Sequence, residues 1–138
     1  MPPSADDEPL GAEPETPGQR LAVAAEALYL VNLMLLPGVA FLALLWLYFR
    51  QTAATPPLAV CHLRQTVSAT IWAGALLVTT NLLIVATGGY ASPGTWAVVI
   101  LYFTTCHSAL LLLGVVGLAR AMAGKSYVYP LVGRPCHG

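Results

Sequence analysis

The chain has 138 residues, of which 57% are hydrophobic and only 9% are charged, and its formal net charge is zero. Soluble domains carry roughly 25% charged residues, so this composition argues against a water-soluble globular domain. A neutral chain without a basic run also gives no support for nucleic-acid binding.

The first segment is unlike the rest of the chain. It reads "MPPSADDEPLGAEPETPG", which is rich in proline and acidic residues and has no apolar periodicity. Such a composition cannot bury enough apolar surface to offset the entropy of ordering. We therefore predict a disordered tail over residues 1–19.

Three apolar stretches follow, at 27–49, 67–87 and 96–119, and none contains Asp, Glu, Lys or Arg. Each reaches the roughly 20 residues that a helix needs to cross a bilayer core. The sequence therefore predicts an all-α integral membrane protein with three transmembrane helices. The predicted helices span residues 21–50, 57–87 and 93–123.

These helices define a predicted membrane domain over 20–124, followed by a short C-terminal tail over 125–138. Pro37 and Gly38 lie inside the first helix, where proline removes a backbone donor and predicts a kink. Glu26 lies near the outer end of that helix, and we expect it to be solvated.

The basic residues predict the orientation. Five of the six Lys and Arg residues fall in the first loop or after the third helix, and the loop "GGYASPG" has none. The positive-inside rule then places the N-terminus outside and the C-terminus in the cytoplasm. The expected location is the bacterial inner membrane, with several membrane passes.

Polar residues inside the predicted helices are candidates for contacts. Asn32, Asn81, Thr105 and His107 should face other helices or partner subunits rather than lipid. They are also candidates to line a transport path, although three helices are too few to enclose a channel. His107 falls near mid-membrane, where its ring predicts either a hydrogen bond to a neighbouring helix or ligation of haem b.

Every histidine in the chain directly follows a cysteine, at 61–62, 106–107 and 136–137. Cys61, His62, Cys136 and His137 fall on the predicted cytoplasmic side and form a candidate zinc set, since two Cys and two His satisfy tetrahedral zinc. Adjacent residues on a helix point about 100° apart, which disfavours convergence of Cys61 and His62. Cytoplasmic placement also argues against a disulfide between Cys61 and Cys136.

The segment "GKSYVYPLVG" resembles the closing motif of a family of small bacterial membrane proteins. Those proteins are similar to the twenty-kilodalton subunit of the chloroplast inner-envelope translocon. The family ending, Gly, two variable residues, Tyr, one variable residue and Tyr-Pro-Leu, is matched by Gly124, Tyr127, Tyr129, Pro130 and Leu131.

"CHLRQTVSATIW" corresponds to a histidine-containing segment of the same family but lacks its Asn-Phe pair. The resemblance spans about 58–133 and implies a three-helix fold and its topology more than a function, because the bacterial members mostly have no assigned activity. Tyr127, Tyr129 and Pro130 are accordingly candidates for packing or partner binding.

No nucleotide-binding loop is present, and the helix interiors offer no acidic residue for a catalytic set or a proton relay. The sequence therefore predicts a non-enzymatic small subunit of a larger membrane complex, with lipid and other membrane subunits as partners and no resident cofactor. The alternatives are a redox anchor that binds haem b or a metal, and a component of a translocation or transport system.

Overall fold

The computed structural model describes residues 14–136, which form helices joined by short turns and contain no strand. Residues 1–13 of the predicted tail lie outside this range. The helices are α1 (Gln19–Met34), α2 (Val39–Phe49), α3 (Pro57–Ala86), α4 (Gly94–Leu101) and α5 (Ser108–Met122). A π-helical segment, Tyr102–His107, joins α4 to α5 without a break.

The helices α1 and α2 form an antiparallel hairpin. Pro37 has no backbone N–H and cannot donate the hydrogen bond that a continuous helix needs at this position. Gly38 adopts a φ of +87°, which is not helical, and the chain reverses here. The side chain of Asn32 closes the turn by accepting a hydrogen bond from the backbone N–H of Gly38 at 2.9 Å. Ala25 of α1 and Leu44 of α2 then share one apolar cluster.

This hairpin corrects the prediction of one kinked helix over 21–50. At 1.5 Å per residue, α1 is about 24 Å long and α2 about 16 Å long, so neither reaches across a bilayer core of about 30 Å. Composition alone suggested a span because the turn between the two helices is as apolar as the helices themselves.

The second and third predicted helices are present with nearly the predicted bounds. The helix α3 has 30 residues, and the continuous helix formed by α4, the π-helical segment and α5 has 29 residues. Both are long and apolar enough to cross a membrane. Pro57 occupies the first turn of α3, where its missing N–H costs nothing.

The start of α1 and the end of α5 lie together. The side chain of Gln19 donates a hydrogen bond to the backbone carbonyl of Met122 at 2.6 Å. Gly18 lies against Pro56 at the start of α3. The predicted arrangement placed residues 20 and 124 on opposite sides of a membrane, whereas the hairpin returns the chain and brings both to one end of the bundle.

We call this end the charged end, because it carries all six basic residues of the chain. They are Arg20, Arg50, Arg64, Arg120, Lys125 and Arg134.

The other end of the bundle is thinner. Most residues of α4 and of the 74–86 part of α3 are exposed or half-buried, and α4 contacts α3. Most apolar side chains there are exposed, including Val78, Leu82 and Ile100. We call this region the open end, defined as residues 74–101.

Candidate functional site

A buried polar cluster joins three elements of the charged end. Glu26 of α1, His62 of α3 and Tyr129 of the C-terminal tail are all essentially inaccessible to solvent. One carboxylate oxygen of Glu26 lies 2.6 Å from Nδ1 of His62. The other accepts a hydrogen bond from the hydroxyl of Tyr129. We call this set, with Gln65, the tail clamp.

The hydrogen bonds of the clamp show where its donors and acceptors lie. The second ring nitrogen of His62, Nε2, lies 3.0 Å from the backbone carbonyl of Lys125, which is only an acceptor. This carbonyl fixes a proton on Nε2, and Nδ1 shares a second proton with the Glu26 carboxyl group, so the two side chains form a buried His–Glu pair. Burial raises the pKa of the Tyr129 phenol well above its usual range, so this hydroxyl stays protonated as a donor.

Gln65 holds the backbone of the tail. Its amide oxygen accepts hydrogen bonds from the backbone N–H groups of Tyr129 and Arg134, at 3.2 and 3.1 Å, and its amide nitrogen donates to the Arg134 carbonyl. Ser68, one turn further along α3, donates to the carbonyl of Val132 at 2.7 Å. A segment without secondary structure of its own is therefore held by one face of α3.

A disulfide between Cys61 and Cys136 closes the tail against α3, with the two Cα atoms 5.3 Å apart. The expectation of free thiols at these positions is wrong for this structure. It rested on the predicted cytoplasmic side and ignored that the tail folds back along α3. The remaining cysteine of the described chain, Cys106, is free.

Two glycines of α5 allow this helix to pack closely against α1 and the clamp. A Cβ atom at Gly117 would lie 2.5 Å from a carboxylate oxygen of Glu26 and 2.7 Å from the hydroxyl of Tyr129. At Gly114 a Cβ would lie 2.7 Å from the ring of Tyr29. All three distances are shorter than the contacts that real Cβ atoms make, so α5 approaches α1 closely only because these positions lack side chains.

The buried position of Glu26 corrects the expectation that it is solvated. In a single long first helix, Glu26 would lie near a free end. In the hairpin, α1 is enclosed by α2, α3, α5 and the tail, so the same residue is central. Sealed from solvent and fully paired, the clamp has the character of a structural ion pair rather than of a catalytic site.

The candidate zinc set does not converge here. Cys61 and Cys136 are bonded to each other, so neither offers the thiolate that zinc requires, and His62 is engaged by Glu26. His137 lies outside the described residues. Among residues 14–136, no group of three or more His, Cys, Asp or Glu side chains is placed to hold a metal.

A second feature is a cavity of about 430 Å³ between the hairpin turn, the middle of α3 and the π-helical segment. Two of the predicted contact residues, Asn32 and His107, line it together with Tyr102. The other two lie elsewhere. Asn81 bonds to Tyr90 and to the Leu77 carbonyl, and Thr105 donates to the Leu101 carbonyl, so both are satisfied within the chain.

The roles of several residues were not predicted from the sequence, since His62 was named only as a zinc candidate and Glu26 only as a solvated residue, and Gln65 and Tyr102 were not named. His62 and Gln65 are three positions apart on α3, a spacing that puts both on one helix face, and this signal was available. The pairing of Glu26 with His62 and Tyr129 could not be predicted from the sequence, because it depends on the hairpin that encloses α1. Tyr102 was also missed, since a tyrosine within an apolar helix has no distinguishing pattern.

Comparison with known proteins adds no relative to this description. No family model, curated protein or solved structure matches the chain.

Proposed function

We propose that this protein is a small non-catalytic membrane subunit, which inserts α3 and the α4–α5 helix across the membrane and packs against a larger membrane protein through its open end. The observation that carries the proposal is the contrast between the two ends. The charged end is closed by the hydrogen bonds of the clamp and by close glycine packing, whereas the open end consists of two helices with little cover.

The charged end stabilises the fold of such a subunit, and the open end binds its partner. The charged end folds back on itself and satisfies its buried polar groups, so it is stable without a partner. At the open end, α3 and α4 expose long apolar side chains around most of their circumference. We propose that helices of another membrane protein pack on this exposed surface and that lipid covers the rest of it.

The resemblance to the translocon-like bacterial family fits this proposal through its motif. Gly124 has a φ of +65°, which permits the turn out of α5. Tyr129 then enters the clamp, and Tyr127 packs on it with ring centroids 5.5 Å apart. In this proposal the motif holds the tail rather than binding a partner.

The charged end faces the cytoplasm in our proposal, and the loop between α3 and α4 faces outward. All six Lys and Arg residues lie at the charged end, and the outer loop has none, which is the distribution that the positive-inside rule describes. Both ends of the described chain are then cytoplasmic, with a re-entrant hairpin between them. The membrane is the inner membrane of a bacterium.

The test is site-specific photocrosslinking in native membranes. A benzophenone side chain replaces Leu82 or Val78 at the open end, and Phe49 at the end of α2 serves as the matched control. We expect adducts of defined mass from the open-end positions and none from position 49. A chain that forms no adduct from either open-end position, and that purifies alone as a monomer, would contradict the proposal.

A further inference from the structure

The cavity below the hairpin turn contains polar groups that have no partner. Asn32 and Tyr102 are each only 9% exposed. Within residues 14–136, the amide nitrogen of Asn32, the hydroxyl of Tyr102 and the ring nitrogens of His107 make no hydrogen bond. No fully inaccessible side-chain N or O atom of the described chain lacks a partner, so these three groups reach open space. The space that all three line is the cavity.

The π-helical segment brings the polar groups together. In an α-helix the side chain stacked over residue 102 would be that of Cys106, four positions on, whereas the wider π-helical turn places His107, five positions on, over Tyr102. Their ring centroids are 6.2 Å apart, and Phe103 lies 5.0 Å from His107. Single π-helical turns occur frequently at functional sites.

The chemistry of the lining defines a ligand class. Asn32 and Tyr102 present hydrogen-bond donors, and the neutral ring of His107 has one donor and one acceptor nitrogen, whose positions depend on the tautomer. Apart from Thr70, whose hydroxyl donates to the Thr66 carbonyl, the rest of the wall is apolar and aromatic, with Phe41 and Phe103. Leu77 and Gly74, which belong to the open end, also line the cavity.

We propose that this cavity binds an isoprenoid quinone. Its flat ring fits between the aromatic side chains, its carbonyl oxygens accept from Tyr102 and Asn32, and its apolar tail leaves toward the open end. A plain acyl chain would fill the same volume but would leave these donors unpaired, which costs free energy in an apolar environment. The inference does not depend on a partner subunit, because the site is complete within one chain.

The test measures binding of decylubiquinone to the purified single chain in nanodiscs, followed by quenching of tryptophan fluorescence. We expect saturable binding of one molecule per chain. Tyr102→Phe, which removes one hydroxyl, should weaken binding about threefold to tenfold, the value of one hydrogen bond. Tyr48→Phe makes the same chemical change outside the cavity and should leave the affinity unchanged.

A second variant blocks the site without disturbing the fold. Gly74 lines the cavity, and a Cβ atom there would meet nothing within 4 Å, so Gly74→Leu should fill the space and abolish binding. Decylbenzene, which carries the same tail without carbonyls, separates a quinone site from an acyl-chain site. Equal affinity for the two ligands, no effect of Tyr102→Phe, or full binding by Gly74→Leu would each overturn the proposal.

Discussion

Gly117 of α5 lies directly against Glu26 of α1, so closely that a single added methyl group would fall 2.5 Å from a carboxylate oxygen. The buried ion pair of the clamp therefore depends on a glycine in a different helix. This contact joins the packing of the bundle to the placement of its tail.

Gly117→Ala should consequently destabilise the protein. Overpacking of a well-packed interior typically costs about 1–3 kcal/mol, and here the displaced group is a paired carboxylate. Gly74→Ala is the matched control, because a Cβ at that helical position meets open space, and it should be neutral or stabilising by about 0.5–1 kcal/mol. Unfolding in mixed micelles, followed by circular dichroism, measures both. Equal stability of the two variants would show that α5 does not approach α1 as described.

The ion pair itself makes a second prediction. Glu26→Gln leaves the His62 ring without its counter-charge in a site closed to solvent, and breaking one partner of a buried pair costs about 3–5 kcal/mol. His62→Gln should cost a similar amount, and the double variant should be less destabilised than the sum of the two. Strict additivity in this double-mutant cycle would mean that Glu26 and His62 do not interact.

Sequence reasoning succeeded where length and composition decide the outcome, and failed where the path of the chain decides it. The bounds of α3 and of the α4–α5 helix follow from apolar runs between proline-containing turns. The hairpin was missed because a proline and a glycine in an apolar run are equally compatible with a kinked span. That single error moved Glu26 from the interior to the surface and separated the two ends of the chain.

The same error affected the cysteines and histidines. Cys61 and His62 do diverge as helical geometry requires, and each finds a partner that the sequence left unassigned, namely Cys136 and Glu26. A long-range pairing of this kind has no local signal. His107 was recognised as a polar ring in an apolar helix. Its position beside Tyr102 depends on a π-helical turn, which no pattern in the sequence predicts.

Tyr129 predicts how stability changes at alkaline pH. Burial raises the pKa of its phenol in the folded state, whereas the unfolded chain has the ordinary value near 10. The folded state therefore retains a proton that the unfolded state loses, and the stability associated with this group falls as pH rises above about 10. Tyr129→Phe should be less stable at neutral pH and should lose part of this alkaline decline. Melting temperatures measured between pH 8 and 11 give the comparison, with Tyr48→Phe as the control. An unchanged slope in Tyr129→Phe would contradict the buried phenol.

The disulfide and the basic residues together give a test of sidedness. If the charged end faces the cytoplasm, thiol-reducing systems there keep Cys61 and Cys136 as a dithiol in living cells, and the disulfide forms on exposure to oxidant. Rapid acid quenching followed by alkylation should therefore label Cys61 and Cys136 without added reductant. Oxidised purified protein should require a reductant for the same labelling, and Cys106 provides an internal reference in both samples. A disulfide already complete in cells quenched by acid would place the charged end in an oxidising compartment and reverse the proposed orientation.

The Cys136→Ser variant distinguishes the bond from the hydrogen bonds of the clamp. Because Gln65, Ser68 and Tyr129 still hold the tail, this variant should remain folded and should retain protection of the tail from proteolysis.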